Sequence, residues 1–211
     1  MFTMPHRFLR FEIRPVLALL VLCAGLPLLA AESIGLNTEQ CRNPDLATAS
    51  DIVSSTQISA LRANVRPDAF AEIFGDVLIY NKDVRLRADS AQLSFTDNRI
   101  ALNKNVSIMD TNLCIKGTRA SGNFLVGQGS VEQAQFLQPQ SNLRGSAAEI
   151  KLSGRQRFEL SQGVVTRCPG DADFWQISSR SLVADQAQST LTVKDMVLRI
   201  KHVPILYLPY L

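Results

Sequence analysis

The residues that could support catalysis are few and lie far apart in the sequence. Of the two histidines, His6 belongs to the N-terminal segment and His202 adjoins an apolar C-terminal tail, and neither has an evident Ser or Cys nucleophile as partner. Asp171 and Asp173 are suitably spaced for acid–base work, but they follow a Pro–Gly pair, and turns favour such residues strongly. There is no phosphate-binding loop and no cluster of metal ligands. The sequence therefore predicts no enzyme activity, no metal site and no cofactor.

The cysteines indicate an oxidising compartment rather than a metal or redox centre. Cys41, Cys114 and Cys168 lie beyond the N-terminal segment, and no two of them have the close C-x-x-C spacing of a zinc or redox site. Three is an odd number, so one thiol either stays free or bonds to another chain.

The first 31 residues have the composition of a secretory signal peptide. Three arginines precede an uncharged apolar run over Val16–Leu29, which ends in the small residues Ala30 and Ala31. The alternative is a membrane anchor, but the run falls short of the roughly 20 residues that a spanning helix needs. We expect cleavage near Ala30 or Ala31. Beyond that point the chain holds 19 basic and 18 acidic side chains, which argues against a nucleic-acid partner.

Two short patterns recur along the rest of the chain at intervals of about 28 residues or slightly more. The first is an apolar-polar-small triplet, followed three residues later by alanine in four of its five copies. Its copies begin at Ile58, Leu86, Ile115, Leu143 and Ile177. The second pattern falls later in each unit, at Gly75–Val77, Lys104–Val106, Glu132–Ala134, Gln162–Val164 and Lys194–Met196. Such a period indicates five stacked units, each burying its apolar face against its neighbours.

Each unit is predicted to form two β-strands. Leu86 and Ala88 alternate with polar residues, and the alternation resumes at Ala91 after a phase shift at Asp89–Ser90 that is consistent with a bulge. Turn residues follow at regular intervals, and no amphipathic helix of ten or more residues is evident. The sequence therefore predicts an all-β fold of about ten or more antiparallel strands with one apolar and one polar face.

The C-terminal nine residues, Val203–Leu211, are nearly all apolar. Pro204 and Pro209 exclude a central strand. Two interpretations remain open: a segment that meets a partner or membrane surface, where Tyr207 and Tyr210 would suit the interface, or a terminal strand that packs on the domain.

Three stretches of the chain resemble the periplasmic N-terminal domain of the LptD family of lipopolysaccharide-assembly proteins. They are Thr166–Asp171, Phe174–Ile177 and Val203–Leu211. The upstream repeats resemble the OstA-type domain that LptA, LptC and LptD share. The resemblance covers roughly residues 56–211, and the C-terminal series from the Cys-Pro-Gly-Asp run onward is its most specific part.

The resemblance implies a β-jellyroll, open along one side, that carries lipopolysaccharide across the periplasm of a Gram-negative envelope toward the outer membrane. It implies an apolar groove for the lipid A acyl chains, and pairing with an LptA-like periplasmic protein through the edge strand near Ile58–Val65. Family members continue into an outer-membrane β-barrel, whereas this sequence ends at Leu211. We therefore expect either a fragment or a naturally short relative, with a separate barrel and an LptE-like lipoprotein as further partners.

The inward-facing apolar residues are the candidates for the groove lining. They are Leu86, Leu93, Phe95, Leu102, Ile108, Ile115, Phe124, Phe136, Ile150 and Phe158. The alternative is that these side chains fill a closed core. In the family, cysteines similar to Cys41 and Cys168 pair with barrel cysteines, so here they are expected to pair with each other, to stay free or to bridge to another chain. Cys114 has no counterpart in the family pattern.

The predicted organisation is a signal peptide (1–31), a flexible segment (32–55), an OstA-like jellyroll (56–202) and an apolar junction segment (203–211). A different class of function also fits a secreted repeat, namely a structural or glycan-binding β-solenoid. The single Trp and three Tyr disfavour it, because glycan binders usually display more aromatic platforms.

Overall fold

The computed structural model describes residues 36, 41, 56–67, 69–80, 84–110, 113–123, 126–153, 157–168, 174–185 and 187–211. The predicted signal peptide, most of the 32–55 segment, Phe124 and residues 169–173 lie outside the described residues.

Among the described residues, twelve strands form one antiparallel sheet, which confirms the predicted all-β, jellyroll-type fold with ten or more strands. The strands are β1 (Gln57–Ser59), β2 (Arg62–Arg66), β3 (Phe70–Tyr80), β4 (Arg85–Ser94), β5 (Arg99–Met109), β6 (Cys114–Asn123), β7 (Gln128–Gln138), β8 (Leu143–Ser153), β9 (Arg157–Thr166), β10 (Trp175–Asp185), β11 (Thr190–Ile200) and β12 (Val203–Tyr210). A short 3₁₀ turn, Pro139–Ser141, joins β7 to β8. β1 and β2 both pair with β3, and every later strand pairs with the one before it.

The strand register aligns apolar side chains into rows that cross the sheet on its buried face. We name three of these rows by their β3 residues. The Ile79 row is Ile58, Ile79, Leu86, Ile108, Ile115, Phe136, Gly145, Val165, Ile177, Leu198 and Leu206. The Ile73 row is Ala63, Ile73, Ala91, Leu102, Ala120, Val131, Ile150, Leu160, Leu182 and Val193. The Ala71 row is Val65, Ala71, Leu93, Ile100, Gly122, Gly129, Leu152, Phe158, Ala184 and Leu191.

The triplet pattern marks the Ile79 row in four of its five copies. Ile58, Leu86, Ile115 and Ile177 all lie in this row, but in the fourth unit the row residue is Gly145 rather than Leu143. The fourth unit was therefore assigned two residues too early. The 3₁₀ turn before β8 accounts for the difference, since it adds residues between β7 and the point where β8 joins the row.

The second pattern marks a β-bulge in each return strand. Asp76, Asn105, Gln133, Gln162 and Asp195 all have positive φ, between 46° and 51°. The strand register is interrupted at each of these positions. The phase shift expected at Asp89–Ser90 appears in the β4–β5 register, but the residues with positive φ there are Lys104 and Asn105 on the opposite strand. Bulges bend a strand and increase its twist. Five of them at the same level, between the Ile79 and Ile73 rows, therefore bend the whole sheet along one line.

Gly145 interrupts the Ile79 row because no side chain fits there. A Cβ at this position would lie 2.8 Å from the Phe136 ring and would also collide with the Val164 carbonyl oxygen. The aromatic ring of the neighbouring strand thus fills the space that a side chain at Gly145 would occupy.

A disulfide between Cys41 and Cys114 fastens the N-terminal segment to the sheet, with 5.9 Å between the two Cα atoms. Cys114, Leu137 and Leu36 form a small buried cluster, which lies opposite the Ile79 row because Cys114 precedes Ile115 in β6. The expected pairing of Cys41 with Cys168 is therefore not formed. Cys168 is itself buried, just beyond β9. The expected disulfide is thus present, but Cys41 pairs with Cys114 and not with Cys168, because the fold places Cys114 beside Cys41.

The apolar C-terminal residues form β12, the last strand of the sheet. Pro209 lies opposite Asp195 of β11, and this pair is missing from the ladder although the pairs on either side of it keep the same register. The N–H that proline lacks is thus missing at a position where the ladder is already interrupted. On either side of it the pairing is regular, and Leu211 and Val193 exchange two backbone hydrogen bonds of 2.9 Å.

Candidate functional site: an apolar trough

The buried face of the sheet is deepest in the middle of the strands and shallower toward the Ala71 row. From Ile73 to Leu160, every side chain of the Ile73 row is buried, and Ala91 is fully inaccessible to solvent. In the Ala71 row, Leu93, Ile100 and Phe158 are only partly buried, and Leu152 is 38% exposed. The bulge line bends the sheet between the Ile79 and Ile73 rows, so the apolar face has the form of a trough. Its floor is deep in the middle of the strands, and the Ala71 row forms a more accessible rim.

Eight of the ten candidate lining residues lie in one contiguous apolar cluster that spans the trough. Leu102, Ile115, Phe136 and Ile150 are buried in it. The partly buried members are Leu86, Leu93, Ile108 and Phe158. Phe95 lies one residue past the end of β4 and is 41% exposed, and Phe124 is outside the described residues. The role of these residues in lining a lipid site stays a prediction.

The sequence-based list omitted several residues of the same cluster. Ile73, Ile79, Val131 and Leu160 are all buried in it. The repeat itself holds the signal that would have found two of them, since Ile79 and Ile73 each lie one unit of 29 residues before Ile108 and Leu102, which share their rows.

The opposite face of the sheet is polar and carries cross-strand ion pairs. Arg87 donates two hydrogen bonds to Asp76, of 2.7 and 2.9 Å, and this holds the pKa of the Asp76 carboxyl below its ordinary value. Further pairs join Arg119 to Glu132 and Arg180 to Asp195. These side chains sit on or beside the bulge line, so the outer face stays hydrated where the inner face is most apolar.

A second hydrogen bond at the bulge line involves β12. The Tyr207 hydroxyl donates to an Asp195 carboxylate oxygen at 2.8 Å, and this raises the pKa of the tyrosine above 10.0. The contact fixes the position of one of the exposed rings on the last strand.

Both edges of the sheet expose large apolar side chains. On the N-terminal edge, Ile58, Leu61 and Val65 of β1, β2 and the link between them are exposed. On the C-terminal edge, β12 exposes most of its apolar side chains. Exposed edges of this kind can accept a further strand.

Of the candidate catalytic residues His202, Asp171 and Asp173, the structure describes only His202. His202 is exposed in the turn between β11 and β12, while Asp171 and Asp173 fall outside the described residues. Across the parts of the chain that the structure covers, there is no group of three or more His, Cys, Asp or Glu side chains that could hold a metal ion. The covered ranges also contain no helix with the length and apolar character required to span a membrane.

Comparison with known proteins relates the chain to lipopolysaccharide-assembly proteins. Over 141 residues, or 67% of its length, it is 30% identical to the LPS-assembly protein LptD of Pseudomonas putida strain GB-1 and 28% identical to that of Pseudomonas fluorescens strain Pf-5. Each match covers 15% of the relative's length. No family model matches the chain.

Among solved structures, a crystal structure of LptH, the LptA homologous periplasmic component of the lipopolysaccharide transport device of Pseudomonas aeruginosa, aligns with 70% of this chain and 95% of its own. Its sequence identity is 10% and its TM-score 0.28, which is too low to support an inference. The similarity to LptD confirms the resemblance noted in the sequence and is consistent with an LptD-like N-terminal domain.

Proposed function

Because the chain is similar to the LPS-assembly protein LptD over 67% of its length, we propose that it is a periplasmic domain for lipopolysaccharide transport and outer-membrane assembly. In this proposal it is not an enzyme. It binds lipid A acyl chains in the apolar trough and passes them toward the outer membrane. Its location is the periplasm of a Gram-negative envelope, in association with the outer membrane.

The observation that carries the proposal is the continuity of the apolar rows. The Ile79 row runs from Ile58 at one edge of the sheet to Leu206 at the other, and the Phe136 ring fills the space beside Gly145. A lipid can therefore move along the row without leaving an apolar surface. Shielding about ten methylene groups from water is worth about 8 kcal/mol. No chemical step is needed to hold a lipid of this kind.

The burial gradient suggests where the acyl chains lie. The floor side chains already pack against one another, so a lipid gains most from the partly buried positions near the rim, such as Leu93, Ile100 and Phe158. The polar outer face excludes the same chains, because placing them there would remove water from the ion pairs of Arg87 and Arg119 without compensation.

The first test is photo-crosslinking in cells with a light-activated residue at an inner or an outer position. Leu93 and Ile108 report on the trough, and Gln135, which is exposed on the outer face of β7, is the matched control. We expect lipopolysaccharide adducts at the two inner positions and none at Gln135. Lack of adducts at every inner position would refute the proposal and favour the structural β-solenoid.

The N-terminal edge is proposed to receive a strand from an LptA-like periplasmic protein. A strand added beside β1 and β2 would cover Ile58 and Val65 and extend the Ile79 row into the partner. A separate outer-membrane barrel with an LptE-like lipoprotein would then lie beyond the opposite edge, where β12 exposes its apolar side chains.

The strand-addition step is tested with two neighbouring variants, Asn64→Pro and Val65→Pro. Successive N–H groups of a strand point to opposite sides, so one variant removes a donor toward β3 and the other a donor toward the partner. We expect the variant that has lost the donor toward the partner to lose co-purification with the partner, while its melting temperature stays close to that of the unmodified chain. Undiminished co-purification of both variants would exclude this edge as the contact.

A further inference from the structure

The outer face of β3–β7 contains a shallow basin of about 690 Å³. Two rows of outward-facing residues line it, one residue from each strand. The first row is Glu72, Gln92, Ala101, Ser121 and Ser130, and the second is Phe70, Ser94, Arg99, Asn123 and Gln128. With strands about 4.8 Å apart, five strands give the basin a length of about 19 Å.

Small side chains form the floor of the basin, and polar side chains form its walls. Ala101, Ser121 and Ser130 occupy the middle, and the two serine hydroxyl oxygens lie 3.4 Å apart. Phe70 closes one end of the basin, with the Arg66 guanidinium 5.1 Å from the centre of its ring. The basin therefore offers hydroxyl groups along its floor and an aromatic ring at its end.

Three of the wall residues have polar side chains without partners in the described part of the protein. Within the described ranges, the side chains of Glu72, Gln92 and Arg99 make no hydrogen bond or ion pair. Elsewhere on the outer face Arg87, Arg119 and Arg180 are each paired with a carboxylate. Glu72, Gln92 and Arg99 can therefore bind a ligand without first losing a contact within the described part of the protein.

The chemistry of this lining favours a sugar over an anion or an apolar ligand. The lining holds one carboxylate and one guanidinium, from Glu72 and Arg99, and Arg66 adds a single positive charge beside Phe70, so the basin lacks the cluster of cations that favours a phosphate. Amides, hydroxyls and charged groups that project from a rigid sheet suit the dense hydroxyl groups of a saccharide, and the ring of Phe70 suits the apolar face of a sugar ring.

The basin also lies beside the trough. Its inner boundary is the backbone of Leu93, Ile100, Gly122 and Gly129, four residues of the Ala71 row, which is the accessible rim of the trough. An amphiphile can therefore place its apolar part at this rim on the inner face. Its polar part then reaches the basin on the outer face by passing around the end of a strand.

We propose that the basin is a saccharide-binding subsite that holds the sugar part of the transported glycolipid while the acyl chains lie in the trough. The inference rests on the proposed lipid-binding function. It places the acyl chains of one molecule on the inner face of the sheet and the sugar of the same molecule on the outer face. A free envelope polysaccharide would present the same hydroxyl chemistry, so the experiment separates the two sources.

The test uses calorimetric titration of the chain with three probes: intact lipopolysaccharide, the oligosaccharide left after removal of its acyl chains, and a soluble peptidoglycan fragment. Ser121→Trp fills the exposed floor of the basin, and Gln135→Trp places the same side chain elsewhere on the outer face. We expect the delipidated oligosaccharide to bind saturably, Ser121→Trp to weaken that binding about tenfold or more, and Gln135→Trp to change it less than about twofold. The double variant Gln92→Ala/Arg99→Ala, which removes wall groups without adding bulk, is expected to weaken it as well.

Three results would overturn the inference: no saturable binding of the delipidated oligosaccharide, equal binding in Ser121→Trp and the unmodified chain, or preference for the peptidoglycan fragment. Crosslinking to lipopolysaccharide at Leu93 and Ile108 is measured in the same variants. Inner-face adducts without oligosaccharide binding would refute the basin alone, whereas loss of inner-face adducts in the unmodified chain would refute the lipid-binding proposal itself.

Discussion

Removing the Cys41–Cys114 disulfide should lower the free energy of unfolding by about 4 kcal/mol. The bond joins residues 73 positions apart, and closing a loop of that length restricts the unfolded chain by about this amount in the chain-entropy description. The double variant Cys41→Ser/Cys114→Ser removes the bond without leaving a single reactive thiol at the site. Burial of Leu36 beside Cys114 depends on the same tether, so its packing is expected to weaken too.

Urea unfolding followed by the fluorescence of Trp175 provides the measurement. Trp175 is the only tryptophan of the chain and is buried at the start of β10, so its emission reports on sheet unfolding. With a urea dependence of about 2 kcal/mol per molar, the double variant should unfold about 2 M earlier than the oxidised chain. Reductant should shift the unmodified chain in the same direction and leave the double variant unchanged.

Two outcomes would refute this reasoning. Equal midpoints for the oxidised chain and the double variant would mean that the bond does not restrict the unfolded chain. A peptide map without reductant that shows Cys41 joined to Cys168 would mean that the N-terminal segment crosses the sheet at a different strand.

Two further predictions concern the repeat and the outer face. Gly145→Val should destabilise the sheet by about 3 kcal/mol, because the valine side chain would collide with Phe136. The control, Ala148→Val, lies at an exposed position of the same strand and should change stability little. The melting temperatures of the two variants test this difference. The pKa of Asp76 should lie below 3.8 and rise toward that value in Arg87→Ala, as measured by carboxyl NMR titration. Since its folded-state pKa is lowered, any stability it contributes is present above pH 3.8 and is lost as the pH falls through the folded-state value; an unchanged pKa in Arg87→Ala would assign the shift to another cause.

Most of the fold could be predicted from local patterns. Alternation in stretches such as Leu86–Ala88 identifies strands, and the repeat period orders them, because each pairs with its neighbour in sequence. The triplets even located the row that contains Ile79, although that residue was not selected. The triplet of the fourth unit did not mark this row, because the 3₁₀ turn at Pro139–Ser141 displaces the strand register while the triplet keeps its apolar-polar-small sequence.

The disulfide and the basin could not have been predicted in the same way. Cys41 and Cys114 are 73 residues apart in the sequence, with strands β1–β5 between them, and nothing near either cysteine in the sequence indicates that the fold brings them together. The basin arises from ten residues on five strands, in which Ser121 and Ser130 become neighbours only once the register is known. Cross-strand proximity of this kind depends on pairing, whereas strand formation depends on adjacent residues.

The order of the strands also has a consequence for how the chain reaches its folded state. Because pairing joins sequence neighbours from β3 to β12, each strand that leaves a ribosome or an export channel meets the strand that preceded it, already in place. Growth can proceed hairpin by hairpin, with short loops to close at each step, and such short-range contacts favour rapid folding. The exception is the Cys41–Cys114 bond, which can close only after β6 has emerged. Because disulfides form in an oxidising compartment, this bond secures the first half of the sheet only once β6 has been exported.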